Sequence, residues 1–322
     1  MTTVAEIATK KILAQLEKGT IPWRKPFNSS HKTVSMPQNL KTNTKYSGFN
    51  WLQLFCEREE KQYKSPYWLT AKQATELNGY VRKGEHGTPI IWANTTTQIC
   101  CQACGKAEKK SGARACSTCK SKNLQPEQRA SWRYYLVFNL DQIEGIDCPQ
   151  STERPVDWDP MNDAERFIKK SGARIQAGGD RAYYSPTFDY IQVPLKADFN
   201  SQSGYYATVL HELGHWTGHK DRMNRDFTGR FGSESYAFEE LVAELTSAIT
   251  CEHIGIDGEI ENHASYLAGW VKILQEKPGA LIEAASKATK AFDYLLDLQA
   301  QIIADVTPIN TNTQQLTLWE AA

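Results

Sequence analysis

Apolar residues recur at helical spacing in one set of segments and form short extended runs in another. In residues 3–18 the apolar positions share one helical face, Thr3 and Glu6 form a capping-box pattern, and Gly19 follows as a stop. Further helices are predicted over residues 67–79, 160–171, 208–217, 236–250 and 260–303, the last interrupted at Pro278-Gly279. Strands are predicted over residues 89–93, 132–139, 181–184 and 190–193.

This mixture of elements predicts an α+β fold, and the chain of 322 residues is long enough for two domains with a core each. The segment 147–160 contains three prolines and four acidic residues, as a linker does. We therefore predict one domain over 1–150 and a second over 151–303. Residues 304–322, rich at first in Thr, Asn and Pro, are predicted to form a flexible tail.

The formal net charge of zero hides two halves of opposite sign. Residues 1–130 contain 21 Lys and Arg against nine Asp and Glu, whereas the remainder contains 16 against 28. A basic half joined to an acidic half indicates that the first half meets a polyanion. The chain shows no apolar run of membrane-spanning length and no signal-peptide pattern, so we expect a cytoplasmic protein without membrane contact.

The clearest chemical motif is H-E-x-x-H at His211, Glu212 and His215, inside the predicted helix 208–217. Residues four apart share one face of a helix, so both imidazoles can reach a single Zn²⁺. Glu212 lies beside that face, where its carboxylate can act as a general base. The apolar flanks of the motif predict that the helix is buried on its other side.

A catalytic zinc site of this kind needs a third protein ligand, and the sequence leaves several candidates. Glu240 is favoured, with Glu244 one turn later as a support that holds a histidine N–H, although either glutamate could be the ligand. Asp221, at a metzincin-like spacing, is an alternative, and His219 continues the four-residue series beyond Gly218. Glu240 and Glu244 together resemble the gluzincin pattern.

Four cysteines form a second candidate metal site. Cys101 and Cys104 make one C-x-x-C pair, and Cys116 and Cys119 make another after eleven residues. This spacing is typical of a Cys₄ zinc ribbon, in which two knuckle turns surround one Zn²⁺. We therefore predict a zinc ribbon over 100–122, whose metal supplies its folding energy. The adjacent Cys100 is an alternative to Cys101 as a ligand.

Aromatic and basic residues are interleaved in three parts of the first half. Rings that stack on bases and cations that follow phosphates favour single-stranded DNA as the partner. The candidate DNA-binding residues are Trp23, Arg24, Lys25, Lys45, Tyr46, Asn50, Arg82 and Lys83. The alternative is that the aromatic side chains belong to the core, which we favour for Phe49, Trp51 and Trp68.

Several motifs resemble the ArdC antirestriction proteins, from about residue 5 to about residue 300. The N-terminal matches are Thr20-Ile-Pro-Trp-Arg-Lys-Pro, Tyr46-Ser-Gly-Phe-Asn, Trp68-Leu-Thr-Ala-Lys-Gln-Ala and Val81-Arg-Lys-Gly-Glu. The C-terminal matches are His211-Glu-Leu-Gly-His-Trp-Thr-Gly-His, Gly229-Arg-Phe-Gly and Tyr236-Ala-Phe-Glu-Glu-Leu-Val-Ala-Glu. The four-cysteine insert departs from the simple pattern of that family.

The resemblance implies a protein of a mobile genetic element, namely a plasmid, an integrative element or a phage. Such a protein binds single-stranded DNA through its N-terminal domain and shields incoming DNA from restriction. The resemblance also implies a zincin-like metallopeptidase domain over 151–303. In zincins, extended substrates lie against an edge strand that precedes the metal helix, and residues 190–193 are expected to take that place.

The end of the chain carries a short motif of its own. Gln315, Leu316, Leu318 and Trp319 resemble the peptide by which bacterial proteins bind the sliding clamp, with Trp in place of Phe. A tail that docks on its own domain is the alternative.

Three functions are compatible with these patterns. The first is a DNA-protection protein that binds single-stranded DNA and carries a zinc-dependent, gluzincin-like metallopeptidase domain. The second is a DNA-tethered metalloprotease that cleaves a restriction or replication protein. The third is a non-catalytic, DNA-binding replication accessory protein with a structural metal.

Overall fold

The computed structural model describes residues 4–23, 36–108, 114–149, 160–230, 232–256 and 264–305, and it has the predicted α+β fold. The helices are α1 (Val4–Leu16), α2 (Gly48–Lys61), α3 (Ala71–Glu76), α4 (Pro160–Ser171), α5 (Gln202–Thr217), α6 (Glu234–Ile254), α7 (Ala264–Glu276) and α8 (Ala280–Asp305). The strands are β1 (Gln38–Asn39), β2 (Tyr67–Leu69), β3 (Tyr80–Val81), β4 (Thr88–Cys101), β5 (Ala107–Glu108), β6 (Leu124–Asn139), β7 (Ile143–Glu144), β8 (Ile175–Ala177), β9 (Tyr183–Ser185) and β10 (Tyr190–Val193).

Two long strands, β4 and β6, dominate the N-terminal sheet, whose order is β1-β2-β6-β4-β5. They pair antiparallel without interruption from Thr88 opposite Val137 to Cys101 opposite Leu124. We call this two-stranded ribbon, with the four-cysteine tip that closes it, the β arm. Residues 89–93 and 132–139 therefore belong to strands much longer than the sequence pattern predicts.

Two N-terminal segments differ from their predicted structure. Helix α2 begins at Gly48, where the sequence pattern predicts no helix, and it buries Phe49 and Trp51. Residues 67–79 were expected to form one helix, but β2 comes first and α3 begins only after Thr70. Thr70 caps that helix, because its side chain accepts from the backbone N–H of Gln73.

The largest apolar cluster combines side chains from both sides of the predicted linker. Trp23 of the N-terminal part packs on Trp270 of α7, with ring centroids 5.9 Å apart. A buried ion pair makes the same connection, since Arg58 of α2 donates to Glu252 of α6 at 2.8 Å. Helices α1 and α2 thus pack directly against the C-terminal helices α6, α7 and α8.

The second sheet lies beside α5 and has the strand order β8-β10-β9. Strand β10 pairs parallel with β8 and antiparallel with β9, so it is the central strand. The expectation that residues 190–193 form the edge strand is therefore wrong. Strand β9 occupies an edge of this sheet, and its Tyr184 contributes to the apolar cluster that contains α5.

Within the described residues, no helix is long and apolar enough to cross a lipid bilayer.

Candidate metal centre

Helix α5 carries the H-E-x-x-H motif and is buried along most of its length. Ser201 caps its start by accepting a hydrogen bond from the backbone N–H of Gly204 at 3.0 Å. One helical turn separates His211 from His215, and their ring centroids are 4.9 Å apart. The apolar side chains that flank the motif are buried, as predicted, and both imidazoles are buried as well.

Helix α6 can cross α5 closely because Gly214, which lies between the two histidines in sequence, has no side chain. A Cβ atom at this position would lie 3.1 Å from the backbone of Ala243. The close approach brings Glu240 beside both rings. One carboxylate oxygen of Glu240 is 3.3 Å from Nε2 of His211, and the other is 3.6 Å from Nε2 of His215.

The donor set of His211, His215 and Glu240 suits a catalytic zinc ion. One ligand atom from each residue lies within 4.8 Å of the other two, and all three side chains are buried. Two imidazole nitrogens and one carboxylate oxygen leave a fourth tetrahedral position for water or substrate. These residues therefore fit the metal that the motif implies.

The other candidates for the third ligand do not belong to this group of three residues. Glu244 faces the other nitrogen of His211, with its Oε2 3.5 Å from Nδ1. This is the position of a carboxylate that orients a ligating histidine. Asp221 lies beyond the end of α5 with its side chain 73% exposed, and its carboxylate is 3.4 Å from Nδ1 of His219. Neither Asp221 nor His219 belongs to the group around Glu240.

Two residues that hold His215 in place are not among the predicted site residues. The Nδ1–H of His215 donates to Glu239 at 3.2 Å. Arg225, in the loop after α5, donates to both carboxylate oxygens of Glu239 and also to the carbonyl of Gly214 at 2.7 Å. The Glu-Glu pair at 239–240 was a signal for this arrangement, but nothing local indicated Arg225.

The glutamates control the protonation of both histidines. Burial lowers the pKa of His215, but the charge of Glu240 and hydrogen bonds to Glu239 and Glu240 outweigh it and raise this pKa to about 9. Burial opposes protonation of His211 as well, yet hydrogen bonds to Glu240 and Glu244 keep its pKa well above 6.5. The carboxylates therefore hold protons on the two imidazoles in the absence of a bound cation.

The three candidate ligands line a cleft of about 270 Å³. Glu212 also lines it, and burial raises the pKa of this carboxyl group, although the two histidines oppose the change. The backbone of Tyr184 in β9 bonds to Glu212, which places the edge strand beside the general-base candidate. Strand β9 therefore forms a wall of the cleft that the histidines line. The other lining residues of the cleft include Tyr183, Phe227, Tyr236 and Tyr266.

The four cysteines converge at the tip of the β arm. The Sγ atoms of Cys101 and Cys119 are 3.5 Å apart, those of Cys104 and Cys116 are 3.6 Å apart, and all four lie within 4.8 Å of one another. The backbone N–H of Cys119 points to the sulfur of Cys116, as in a zinc knuckle. Four thiols in this arrangement fit tetrahedral Zn²⁺.

Two of the candidate DNA-binding residues are used inside the protein. Trp23 is buried against Trp270, so its ring has no face open to a base. Asn50 donates to and accepts from the backbone of Ile91, at 2.8 Å in both directions, and so joins α2 to β4. The structure contradicts both predicted assignments to the DNA surface, because tertiary packing engages these side chains.

Of the other candidates, Lys45, Arg82 and Lys83 are exposed, and Tyr46 is partly buried against the sheet. Arg82 also donates to the Asp141 carbonyl. Arg24, Lys25 and the tail residues Gln315, Leu316, Leu318 and Trp319 lie outside the described residues.

Comparisons with known proteins cover both parts of the chain. A family described as the N-terminal domain of anti-restriction factor ArdC matches residues 2–138. A family described as zincin-like metallopeptidase matches residues 162–287.

Three curated relatives share about a third of their aligned residues with this chain. Two proteins named DNA primase TraC, both from Escherichia coli, are 36% identical over 302 residues and 37% identical over 310 residues. These alignments cover 93% and 94% of this chain but only 20% and 28% of the primases, so the chain spans less than a third of their length. The uncharacterized protein y4eC of Sinorhizobium fredii (strain NBRC 101917 / NGR234) is 34% identical over 295 residues, covering 91% of this chain and 92% of y4eC.

Two crystal structures of the antirestriction protein ArdC from the R388 plasmid have the same fold. The metal-free structure superimposes with a TM-score of 0.72 at 34% identity, over 92% of this chain and 98% of ArdC. The Mn(II)-bound structure gives a TM-score of 0.70 at 33% identity, with the same coverage. Because both domain families and the whole-chain fold agree, this chain belongs to the ArdC antirestriction family, with an ArdC N-terminal domain and a zincin-like metallopeptidase domain.

Proposed function

We propose that this protein protects incoming DNA, and that protection requires both the binding of single-stranded DNA and the metal-dependent hydrolysis of a peptide bond in another protein. The observation that carries the proposal is the convergence of His211, His215 and Glu240 in a cleft that Glu212 also lines. A purely structural metal site has no need of a buried carboxylate beside it, whereas a hydrolase needs a general base.

The proposed metal is Zn²⁺, held by His211, His215 and Glu240. When bound, it supplies a Lewis acid and lowers the pKa of the water molecule that attacks the substrate. Glu212 accepts the proton of that water and returns it to the leaving amine. Its raised pKa suits this exchange, because a general base works best with a pKa near the working pH.

The peptide substrate is proposed to lie along β9. This strand pairs with β10 on one side, and its residues Tyr183 and Tyr184 line the cleft. A peptide added at a sheet edge is held by backbone hydrogen bonds, which place its scissile bond without requiring one particular sequence. The substrate is proposed to be a restriction or replication protein in the cytoplasm.

A second zinc ion is proposed for Cys101, Cys104, Cys116 and Cys119. It has a structural role, because four thiolates leave no position for water or substrate.

The first measurement is the zinc and manganese content per chain of wild type, His211→Ala and Cys104→Ser. We expect two zinc ions in wild type and one in each variant. Retention of both by His211→Ala would contradict the histidine site.

Glu212→Gln tests the chemistry, because the amide keeps the size of the side chain but cannot take up a proton. We expect this variant to retain both metal ions and its affinity for single-stranded DNA. It should lose protection of transferred DNA against a restriction endonuclease in recipient cells. Full protection by Glu212→Gln would instead favour the non-catalytic, DNA-binding function.

The C-terminal motif from Gln315 to Trp319 is proposed to bind the bacterial sliding clamp. A chain truncated at Thr311 should then lose binding to immobilised clamp, whereas unchanged binding would contradict the proposal.

A further inference from the structure

Exposed aromatic side chains are concentrated at the base of the β arm. Trp92 of β4 is 59% exposed, and Tyr134 and Tyr135 of β6 are 46% and 42% exposed. Among the tryptophans whose side chains are described, the other five are buried. Trp92 is thus an exception among these tryptophans. A cluster of exposed aromatic side chains usually marks an interaction site.

The strand register decides which of these side chains act together. Trp92 lies opposite Arg133, and Tyr135 lies opposite Ile90, two positions nearer the body of the protein. Paired residues share a face and alternate residues along a strand return to it, so Trp92, Arg133 and Tyr135 form one continuous surface. We call these three residues the arm surface. The same face continues into the core at Ile90, which is 7% exposed.

We propose that the arm surface is the stacking platform for single-stranded DNA; this inference rests on the proposed single-strand binding and gives it a location. Bases stack on the rings of Trp92 and Tyr135, and the guanidinium of Arg133 pairs with a phosphate between them. Double-stranded DNA cannot use such a platform, because its base faces are already stacked on one another.

Charge complementarity along the β arm supports a polyanion as the occupant. Beyond Arg133, four of the basic side chains that the structure describes are exposed toward the tip of the arm: Lys106, Arg114, Lys120 and Lys122. The acidic side chain described in the same region, Glu127, accepts a hydrogen bond from Gln102 at 2.6 Å. A strand stacked at the arm surface can thus extend along the β arm to the basic side chains at its tip.

The test measures binding of fluorescein-labelled oligo-dT to the full chain by fluorescence anisotropy. We expect Trp92→Ala and Tyr135→Ala each to raise Kd roughly 5- to 150-fold, the range for loss of one base–aromatic stack. The slope of log K against log salt should not change in these variants. In Arg133→Ala the slope should become shallower by about 0.7, because one phosphate contact is lost.

Phe188→Ala is the matched control, because this aromatic ring is 69% exposed and lies in the turn between β9 and β10, away from the β arm. Its Kd should equal that of wild type. Trp92→Phe should restore most of the affinity lost in Trp92→Ala, since a phenyl ring still stacks.

The outcomes separate the two proposals. If wild type binds oligo-dT and the Trp92 and Tyr135 variants bind it as tightly as Phe188→Ala does, the arm surface is not the platform, although single-strand binding stands. The surface would then be open to a protein partner. If wild type does not bind oligo-dT, both the arm surface and the proposed single-strand binding are wrong.

Discussion

At the scale of single residues, the orientation of His215 depends on a carboxylate that is itself held by an arginine. Glu239 accepts from His215 on one side and from Arg225 on the other. A buried glutamate in this position fixes the ring tautomer and increases the basicity of the nitrogen that faces the metal. Glu239 would thus act on a bound metal through His215, as a positioning residue.

Glu239→Gln should weaken metal binding by about 10- to 100-fold, because the neutral amide orients His215 less firmly and the substitution removes a negative charge. Competition with a chromogenic zinc chelator measures this affinity. The control is Glu234→Gln on the same helix, whose exposed carboxylate pairs with Lys277 at 2.6 Å. Equal zinc affinity in the two variants would contradict a positioning role for Glu239.

The protonation of His215 predicts opposite pH trends for stability and for metal binding. In the metal-free protein its pKa is about 9, above the ordinary value of 6.5. The stability contributed by its protonated form is therefore complete below pH 6.5 and is lost as the pH rises through about 9. Zinc affinity should rise over the same interval, because the bound metal displaces the proton.

Urea unfolding of the metal-free chain and chelator competition, each at several pH values, check these two trends. In His215→Ala the decline in stability across this interval should be shallower. A zinc affinity that does not change with pH would show that the histidines are already deprotonated without metal.

At the scale of elements, the crossing of α5 and α6 sets the distance from the histidines to Glu240. Gly214 permits that crossing, and Ser247 of α6 strengthens it by donating to the Ala207 carbonyl at 3.0 Å. The ligand set is therefore a property of two packed helices rather than of one motif.

Gly214→Val should push the two helices apart, because even a Cβ atom there would meet the Ala243 backbone at 3.1 Å. We expect a loss of about 1–3 kcal/mol in the free energy of unfolding, typical of overpacking, together with weaker zinc binding. Urea unfolding and metal analysis measure both effects. Gly279→Val is the control, since a Cβ atom at Gly279 has no neighbour within 4 Å.

At the scale of the whole molecule, the N-terminal helices complete the core around the zincin-like region. The cluster that contains Ile12 and Trp51 also contains Leu245 and Trp270. The buried pair of Arg58 and Glu252 adds a polar link between α2 and α6. Unfolding of this shared core is therefore expected as a single transition rather than as two.

Arg58→Ala should lower the free energy of unfolding by about 3–5 kcal/mol, because Glu252 would be left charged and buried without its cation. Lys11→Ala is the comparison, because it removes a 47% exposed lysine from pairs with Glu57 and Glu60 and should cost less than about 1 kcal/mol. Urea unfolding followed by tryptophan fluorescence measures both values. Similar losses in the two variants would contradict a buried, uncompensated Glu252.

The sequence by itself determined the features that arise within one or two turns of chain. His211 and His215 share a face because helical periodicity places them there, and the two C-x-x-C pairs predict their own knuckles. The α+β class and the family resemblance were also evident, since they rest on local patterns and motif order. Local spacing is enough where the interacting groups are neighbours along the chain.

Only the tertiary structure decided which distant groups meet these motifs. It placed Glu240 rather than Asp221 beside the histidines, because α5 ends at Thr217 and α6 folds back across Gly214. It also placed Arg225 behind Glu239, buried Trp23, and put β9 at the edge of the sheet beside the cleft. These outcomes depend on which surfaces pack together over long separations in sequence, and the local pattern of apolar and polar residues does not specify that choice.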